Sequence, residues 1–184
     1  MKKSPLFSFF LILFPVLLCA QPAIKDKTPV DYVNPYIGNI SHLLVPTYPT
    51  VHLPNSMLRV YPERENYTSN TIAGLPLIVT SHRGSSAFNL SPYQGSLSEV
   101  SSVVNYGYDN EVSKPYFYSV DLDDYDIHVE YAPSHQSGIY KFNVEYSDRP
   151  VYLVFNTRNG ELNTDGKTIS GFQKLGNNTQ VYIY

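Results

Sequence analysis

Residues 116–155, YFYSVDLDDYDIHVEYAPSHQSGIYKFNVEYSDRPVYLVF, decide the fold. Tyr116, Tyr118, Val120 and Leu122 fall on one side of an extended chain, and Phe117, Ser119 and Asp121 on the other. That is the two-residue repeat of a half-buried strand. Asp123 and Asp124 supply a turn, after which Ile127, Val129 and Tyr131 alternate with His128 and Glu130, so the two runs read as an antiparallel hairpin. Tyr140, Phe142, Val144 and Tyr146 then alternate with Lys141, Asn143 and Glu145; residues 147–150 turn, and 151–155 return. Further on, Asn159-Gly160 and Asp165-Gly166 are strong tight-turn pairs. Short strands at this spacing predict an all-β domain, an antiparallel β-sandwich.

Outward from that stretch, composition agrees. The chain of 184 residues has 17 tyrosines, 9 phenylalanines and no tryptophan. Tyrosine pairs a ring that favours strands with a hydroxyl that tolerates partial burial. A net charge of −3 argues against nucleic acid and against a polybasic membrane surface as partners. Upstream, the apolar run 75–80 has strand length and leads into Ser81-His82-Arg83-Gly84-Ser85-Ser86, which places polar groups on a glycine- and serine-rich loop. Residues 88–95 read as loop and turn, and 94–113 show no sustained helical periodicity. Residues 179–184 look like an apolar strand with no closing turn, so the natural polypeptide is expected to continue beyond an incomplete sandwich.

The first twenty residues need no fold. Lys2 and Lys3 precede an apolar run from Leu6 to Leu18, and Cys19-Ala20 offers small residues for cleavage. Residues 1–20 are therefore read as a signal peptide of an exported protein, periplasmic, cell-surface or secreted. The run is shorter than the roughly 20 apolar residues that span a bilayer, and Pro15 interrupts it. Acylation of Cys19 is the weaker alternative, because Leu18 stands where a small residue is expected. Cleavage after Ala20 leaves no cysteine for disulfides. Residues 21–30 are polar, bounded by Pro22 and Pro29, and read as a linker to a domain over 31–184.

Residues 31–62 carry Pro35, Pro46, Pro49, Pro54 and Pro62 with Gly38, too much proline for a helix; short extended pieces joined by rigid turns are expected, ending in a strand over 57–61. The run Asp31-Tyr32-Val33-Asn34-Pro35-Tyr36-Ile37-Gly38-Asn39, followed by Tyr48-Pro49-Thr50, Pro54-Asn55-Ser56-Met57 and Val60-Tyr61-Pro62, resembles the N-terminal motif of glycoside hydrolase family 92, the calcium-dependent exo-acting α-mannosidases. There a segment like YVNPFIGT precedes a Phe-Pro-Gly-Ala-Thr, Pro-Phe-Gly-Met, Leu-Ser-Pro-Asp series. Asn39 replaces the usual Thr, Asn55-Ser56 replaces Phe-Gly, and Ile40-Ser41-His42-Leu43-Leu44 replaces a glycine-rich stretch. The resemblance is to a divergent subgroup.

What the resemblance implies is an N-terminal β-sandwich packed on a C-terminal (α/α) barrel, in a secreted α-mannosidase acting on terminal α-mannosides of mannose-containing glycans. The acid, the base and the calcium ligands would come from the helical domain, so no catalytic or metal residue is assigned within this chain and calcium belongs to the parent enzyme. The turn Tyr36-Ile37-Gly38-Asn39 would line the sugar pocket. Gly38 allows close backbone approach, the Tyr36 ring can stack on a sugar face and Asn39 can donate and accept; the plainer alternative is a turn that packs on a neighbouring domain. Ser81-His82 matches, loosely, the family's Ser-His-Thr-His loop. Arg83 joins His82 as a substrate-binding candidate on chemistry, its alternative being an ion pair with Glu63 or Glu65.

Other polar groups carry less. Asp121, Asp123, Asp124 and Asp126 lack the glycine and the distal glutamate of a helix-loop-helix calcium site and read as a hairpin turn. His42, His52 and His82 are too dispersed for zinc. Four Asn-x-Ser/Thr triplets, beginning at Asn39, Asn66, Asn89 and Asn177, are read as chance matches. The rival functions are a free-standing carbohydrate-binding sandwich without catalysis, and a structural or adhesive β-domain.

Overall fold

A computed structural model describes residues 26–40, 43, 47–65, 68–80, 86–145 and 148–184. Along them run β1 (Val51–His52), β2 (Arg59–Val60), β3 (Thr71–Ile72), β4 (Leu75–Val79), β5 (Ser86–Gln94), β6 (Tyr106–Lys114), β7 (Phe117–Leu122), β8 (Ile127–Pro133), β9 (Gly138–Val144), β10 (Val151–Asn156), β11 (Gly160–Thr164), β12 (Ile169–Gly176) and β13 (Thr179–Ile183). The only helical pieces among the described residues are three 3-10 turns. None is long and apolar enough to cross a membrane.

The expected alternation builds the larger sheet, five antiparallel strands in the order β3-β6-β7-β8-β9. Tyr118, Val120 and Leu122 of β7 and Ile127, Val129 and Tyr131 of β8 all point inward and are buried. There they join Leu75 of β4, Tyr93 of β5, and Tyr152 and Val154 of β10, from the second sheet, β10-β5-β4. One core between two antiparallel sheets is the expected sandwich. On the solvent side of β7–β9, His128 bonds Asp121, and Lys141 Nζ lies 2.8 Å from Glu130. After β9 the chain changes sheets: β10 pairs with β5 rather than with its predecessor.

Three expectations need correction. Residues 88–95 are not a loop; they fall largely in β5, the central strand of its sheet, buried on both faces along nearly its whole length. Its polar residues satisfy one another instead of solvent, Ser91 Oγ donating to Asn89 Oδ1 at 2.9 Å and Asn89 Nδ2 to the Ala73 carbonyl at 2.9 Å. Pro92 is tolerated because β4 stops pairing at Leu90, so the missing N–H lies where β5 has a ladder on one side alone. Its carbonyl accepts from the Tyr106 hydroxyl at 2.6 Å. Tyr116 sits in the turn between β6 and β7, half exposed, and not on the inner face. The strand expected over 57–61 is cut to Arg59–Val60, since Ser56 Oγ and the Met57 amide bond the 134–135 carbonyls.

A third sheet, β11-β12-β13, is attached to β5 through Gln173. Phe88 holds a left-handed backbone, φ +56°, and its amide donates to Gln173 Oε1 at 2.9 Å while Gln173 Nε2 donates to the Ser86 carbonyl at 3.1 Å. The side chain thus supplies the ladder bonds that the irregular strand loses. Within this sheet β11 and β12 approach closely at Gly171, where a Cβ would stand 2.0 Å from the Glu161 carbonyl oxygen. Gly171→Ala is expected to cost about 3 kcal/mol by forcing the strands apart. Amide exchange across 160–176 should accelerate far more than in β7 and β8; equal protection would refute the close approach.

Candidate functional site

The turn singled out at Tyr36 is held by local bonds. Asn34 Oδ1 accepts from the Tyr36 amide at 3.0 Å, the Asn34 carbonyl from Ile37 N at 3.2 Å and the Tyr36 carbonyl from Asn39 N at 3.2 Å. Thr47 closes it, its amide donating to Gly38 O at 2.9 Å and its hydroxyl to Ile37 O at 3.1 Å. Gly38 takes φ +85°, a left-handed conformation that needs glycine, and a Cβ there would meet Thr47 Oγ1 at 2.8 Å. Ile37 is 75% exposed and Tyr36 half-buried. Asn39 Oδ1 is buried with no partner among the described residues. Between residues 31–36 and 111–114 lies an open cleft of about 370 Å³.

Beneath the turn stands a polar cluster that reading the sequence does not disclose. β6 carries a bulge between Asp109 and Val112, with Asn110 left-handed at φ +52° and its Nδ2 bonded to Asp121 Oδ2 at 2.8 Å. The extra residue reverses the alternation, so Glu111 turns into the interior beside Tyr118 and Val112 turns out. Glu111 bonds Arg64; their side chains are 12% and 6% exposed. Arg64 Nη1 also donates to the Tyr108 hydroxyl at 2.9 Å, with its guanidinium 5.0 Å from that ring's centre, and Tyr118 OH donates to Glu111 Oε1 at 2.9 Å. The Tyr36 hydroxyl reaches the Glu111 carbonyl at 3.4 Å.

Electrostatics follow from that packing. Burial works against the Arg64 charge, but Glu111 outweighs it and holds the guanidinium pKa above its ordinary value. Burial, then the negative charge of Glu111, pushes the Tyr36 phenol up to about 12. The same two causes, in the same order, hold Tyr118 well above the ordinary tyrosine range.

His82 and Arg83 lie outside the described residues, so their placement is not given; the strands either side of them pair, Val79 with Ser86. Glu63, an expected alternative partner of Arg83, bonds Ser86 Oγ and lies 2.8 Å from Arg158 Nη2. Consecutive residues Glu63 and Arg64 therefore touch Ser86, at the start of β5, and the floor under Tyr36. Of the remaining histidines, His42 is outside the described residues, while His52 Nε2 meets the Ser56 carbonyl at 3.3 Å. In the acidic turn Asp121 bonds His128 and Asn110, and Asp124 Oδ2 accepts from the Gly107 amide at 2.8 Å. Among the described residues no three His, Cys, Asp or Glu side chains gather to hold a metal.

Residues 32–184 match the Glycosyl hydrolase family 92 N-terminal domain. The inverting GH92 mannosidase BT2199 of Bacteroides thetaiotaomicron VPI-5482 superposes with a TM-score of 0.68 at 20% identity, over 85% of this chain and 25% of that one. The GH92 α-mannosidase BT3965 of Bacteroides thetaiotaomicron gives 0.64 at 20% identity, over 80% of this chain and 23% of its own length. BT3965 in complex with mannoimidazole gives 0.60 at 21% identity, over 78% and 22%. No curated protein matches. The chain spans about a quarter of these solved mannosidases, and at such identity they establish a shared fold. With the sandwich, the proline-rich entry and the match over 32–184 in agreement, the chain belongs to glycoside hydrolase family 92, as its N-terminal β-sandwich domain.

Proposed function

We propose that this domain is the scaffold part of an exported α-mannosidase that hydrolyses terminal α-mannosides of glycans. It borders the sugar pocket with Tyr36, Ile37, Gly38 and Asn39, and with the loop bearing His82 and Arg83. The catalytic acid and base, and the calcium ligands, stand on a helical (α/α) barrel outside this chain. Supporting this is one observation above the rest: the Tyr36–Asn39 turn is fixed by five hydrogen bonds, leaves Ile37 and Gly38 exposed, and sets Tyr36 in the wall of an open cleft. A rim held rigid beforehand suits a sugar, whose ring needs a wall already in place to stack on.

Half a pocket should bind feebly and turn nothing over. Titrating the 15N-labelled chain with methyl α-mannoside is expected to shift the amides of residues 36–39 at roughly millimolar ligand, with no hydrolysis of an aryl α-mannoside by the chain alone. Hydrolysis by the chain alone would place catalytic groups inside it and overturn the proposal. So would saturable shifts confined to some other surface.

A further inference from the structure

We infer that Arg64 and Glu111 are the positioning pair of the sugar-facing turn, fixing where the Tyr36 hydroxyl sits. The inference rests on reading that turn as pocket rim. Glu111 holds two things at once: its carboxylate grips Arg64 and the Tyr118 hydroxyl, while its carbonyl accepts from Tyr36 at 3.4 Å. Moving one of these moves the other.

An ion pair is an odd choice for stability alone. Taking both charges out of water is costly, and apolar residues of the same volume would hold a core as well. The bulge at Asn110 turns Glu111 inward, where otherwise it would reach solvent like its neighbours. Arg64 is further held by the Tyr108 hydroxyl and ring, and that hydroxyl by its own bond to the Ser69 carbonyl at 3.0 Å. Such a fork, planar and bidentate-capable, sets direction as well as charge. The groups facing the Tyr36 phenol are Glu111, Arg64, Tyr108 and the Ser113 backbone, and the high phenol pKa reflects burial and the Glu111 charge. A preorganised contact of this kind keeps a binding surface from having to order itself on ligand arrival.

The test places 3-fluorotyrosine at position 36 of the full chain and follows its fluorine resonance. Glu111→Gln preserves shape and an acceptor for Tyr118 but removes the charge; Arg64→Lys preserves the charge but not the fork. In each, the fluorine line at pH 8 is expected to move from its wild-type position. Where wild type binds methyl α-mannoside, affinity should drop about tenfold in parallel. An unmoved line in whichever variants fold, judged by circular dichroism, overturns the inference, as does a moved line with unchanged affinity. If wild type binds no mannoside, the pocket reading fails separately and the fluorine line alone decides whether the pair positions Tyr36.

Discussion

Replacing Glu111 with leucine should cost about 3–5 kcal/mol, because it leaves the Arg64 guanidinium charged in a place where its side chain is 6% exposed. The remaining polar contact, with Tyr108, is a neutral hydroxyl and does not balance a cation. Such a loss takes a large share of the roughly 5–15 kcal/mol that keeps a domain folded. Removing both charges is a different matter. Arg64→Met with Glu111→Leu abolishes the desolvation cost on each side and should recover most of the loss. It should not recover all of it, since Tyr118, buried against Glu111, then keeps a hydroxyl with no acceptor, worth about 1–3 kcal/mol. Adding Tyr118→Phe removes that residue of cost. Urea unfolding of the three variants and wild type, followed by far-ultraviolet circular dichroism, measures the series. A Glu111→Leu cost below about 1 kcal/mol would mean that Arg64 finds water, and that the pair is not sealed.

That cluster also shows why the site is less legible than the fold. The strands β7, β8 and β9 alternate without interruption, so period alone reveals which side chains meet in the core. In β6 the same rule misleads: counted from Tyr106 and Tyr108, Val112 should be inside and Glu111 outside, and one left-handed residue at Asn110 exchanges them. Asn tolerates that conformation better than most residues, but many asparagines never use it, so the signal is faint. Arg64 sits between two glutamates in what reads as a solvated charged run. Its burial depends on Tyr108 and Glu111, more than forty residues away.

β5 fails for the opposite reason. It contains Asn89, Ser91 and Pro92, turn formers by local preference, and becomes a buried central strand because Gln173, the Ala73 carbonyl and Tyr106 supply the missing bonds from distant elements. Local chemistry argued for a loop and tertiary contacts overruled it. The Tyr36 turn, by contrast, is legible, since Asn34, Pro35 and Gly38 encode it within five residues.

Raising the pH from 10 to 12 is expected to unfold this domain cooperatively. The physical cause is the tyrosine content noted from composition, now seen as buried phenols. Burial pushes Tyr131 up to about 12, burial and Glu111 do the same to Tyr36, and burial foremost raises Tyr106, Tyr118 and Tyr140. Four of these hydroxyls donate to oxygen: Tyr106 to the Pro92 carbonyl at 2.6 Å, Tyr118 to Glu111 at 2.9 Å, Tyr140 to the Pro76 carbonyl at 3.1 Å and Tyr36 to the Glu111 carbonyl at 3.4 Å. A phenolate could donate to none of them. The unfolded chain ionises near pH 10, so above that it holds fewer protons than the folded chain, and stability falls as pH rises. The contribution is complete below pH 10 and is withdrawn through about pH 12. Each phenol kept neutral by folding removes about 1.4 kcal/mol per pH unit, so Tyr131, Tyr106, Tyr118 and Tyr140 remove about 6, with less from the half-buried, solvent-screened Tyr36, and one to two units consume most of an ordinary domain's stability. Urea midpoints measured at pH 8, 10, 11 and 12 should trace this decline, and a midpoint flat to pH 12 would show that water reaches the phenols. Tyr131→Phe is the control that assigns the cause. Its hydroxyl is buried with no hydrogen-bond partner among the described residues, so at pH 8 phenylalanine should stabilise the fold by about 1 kcal/mol. Above pH 10 the same variant should lose stability about 1.4 kcal/mol per unit more slowly than wild type, because one buried proton no longer has to be given up on unfolding.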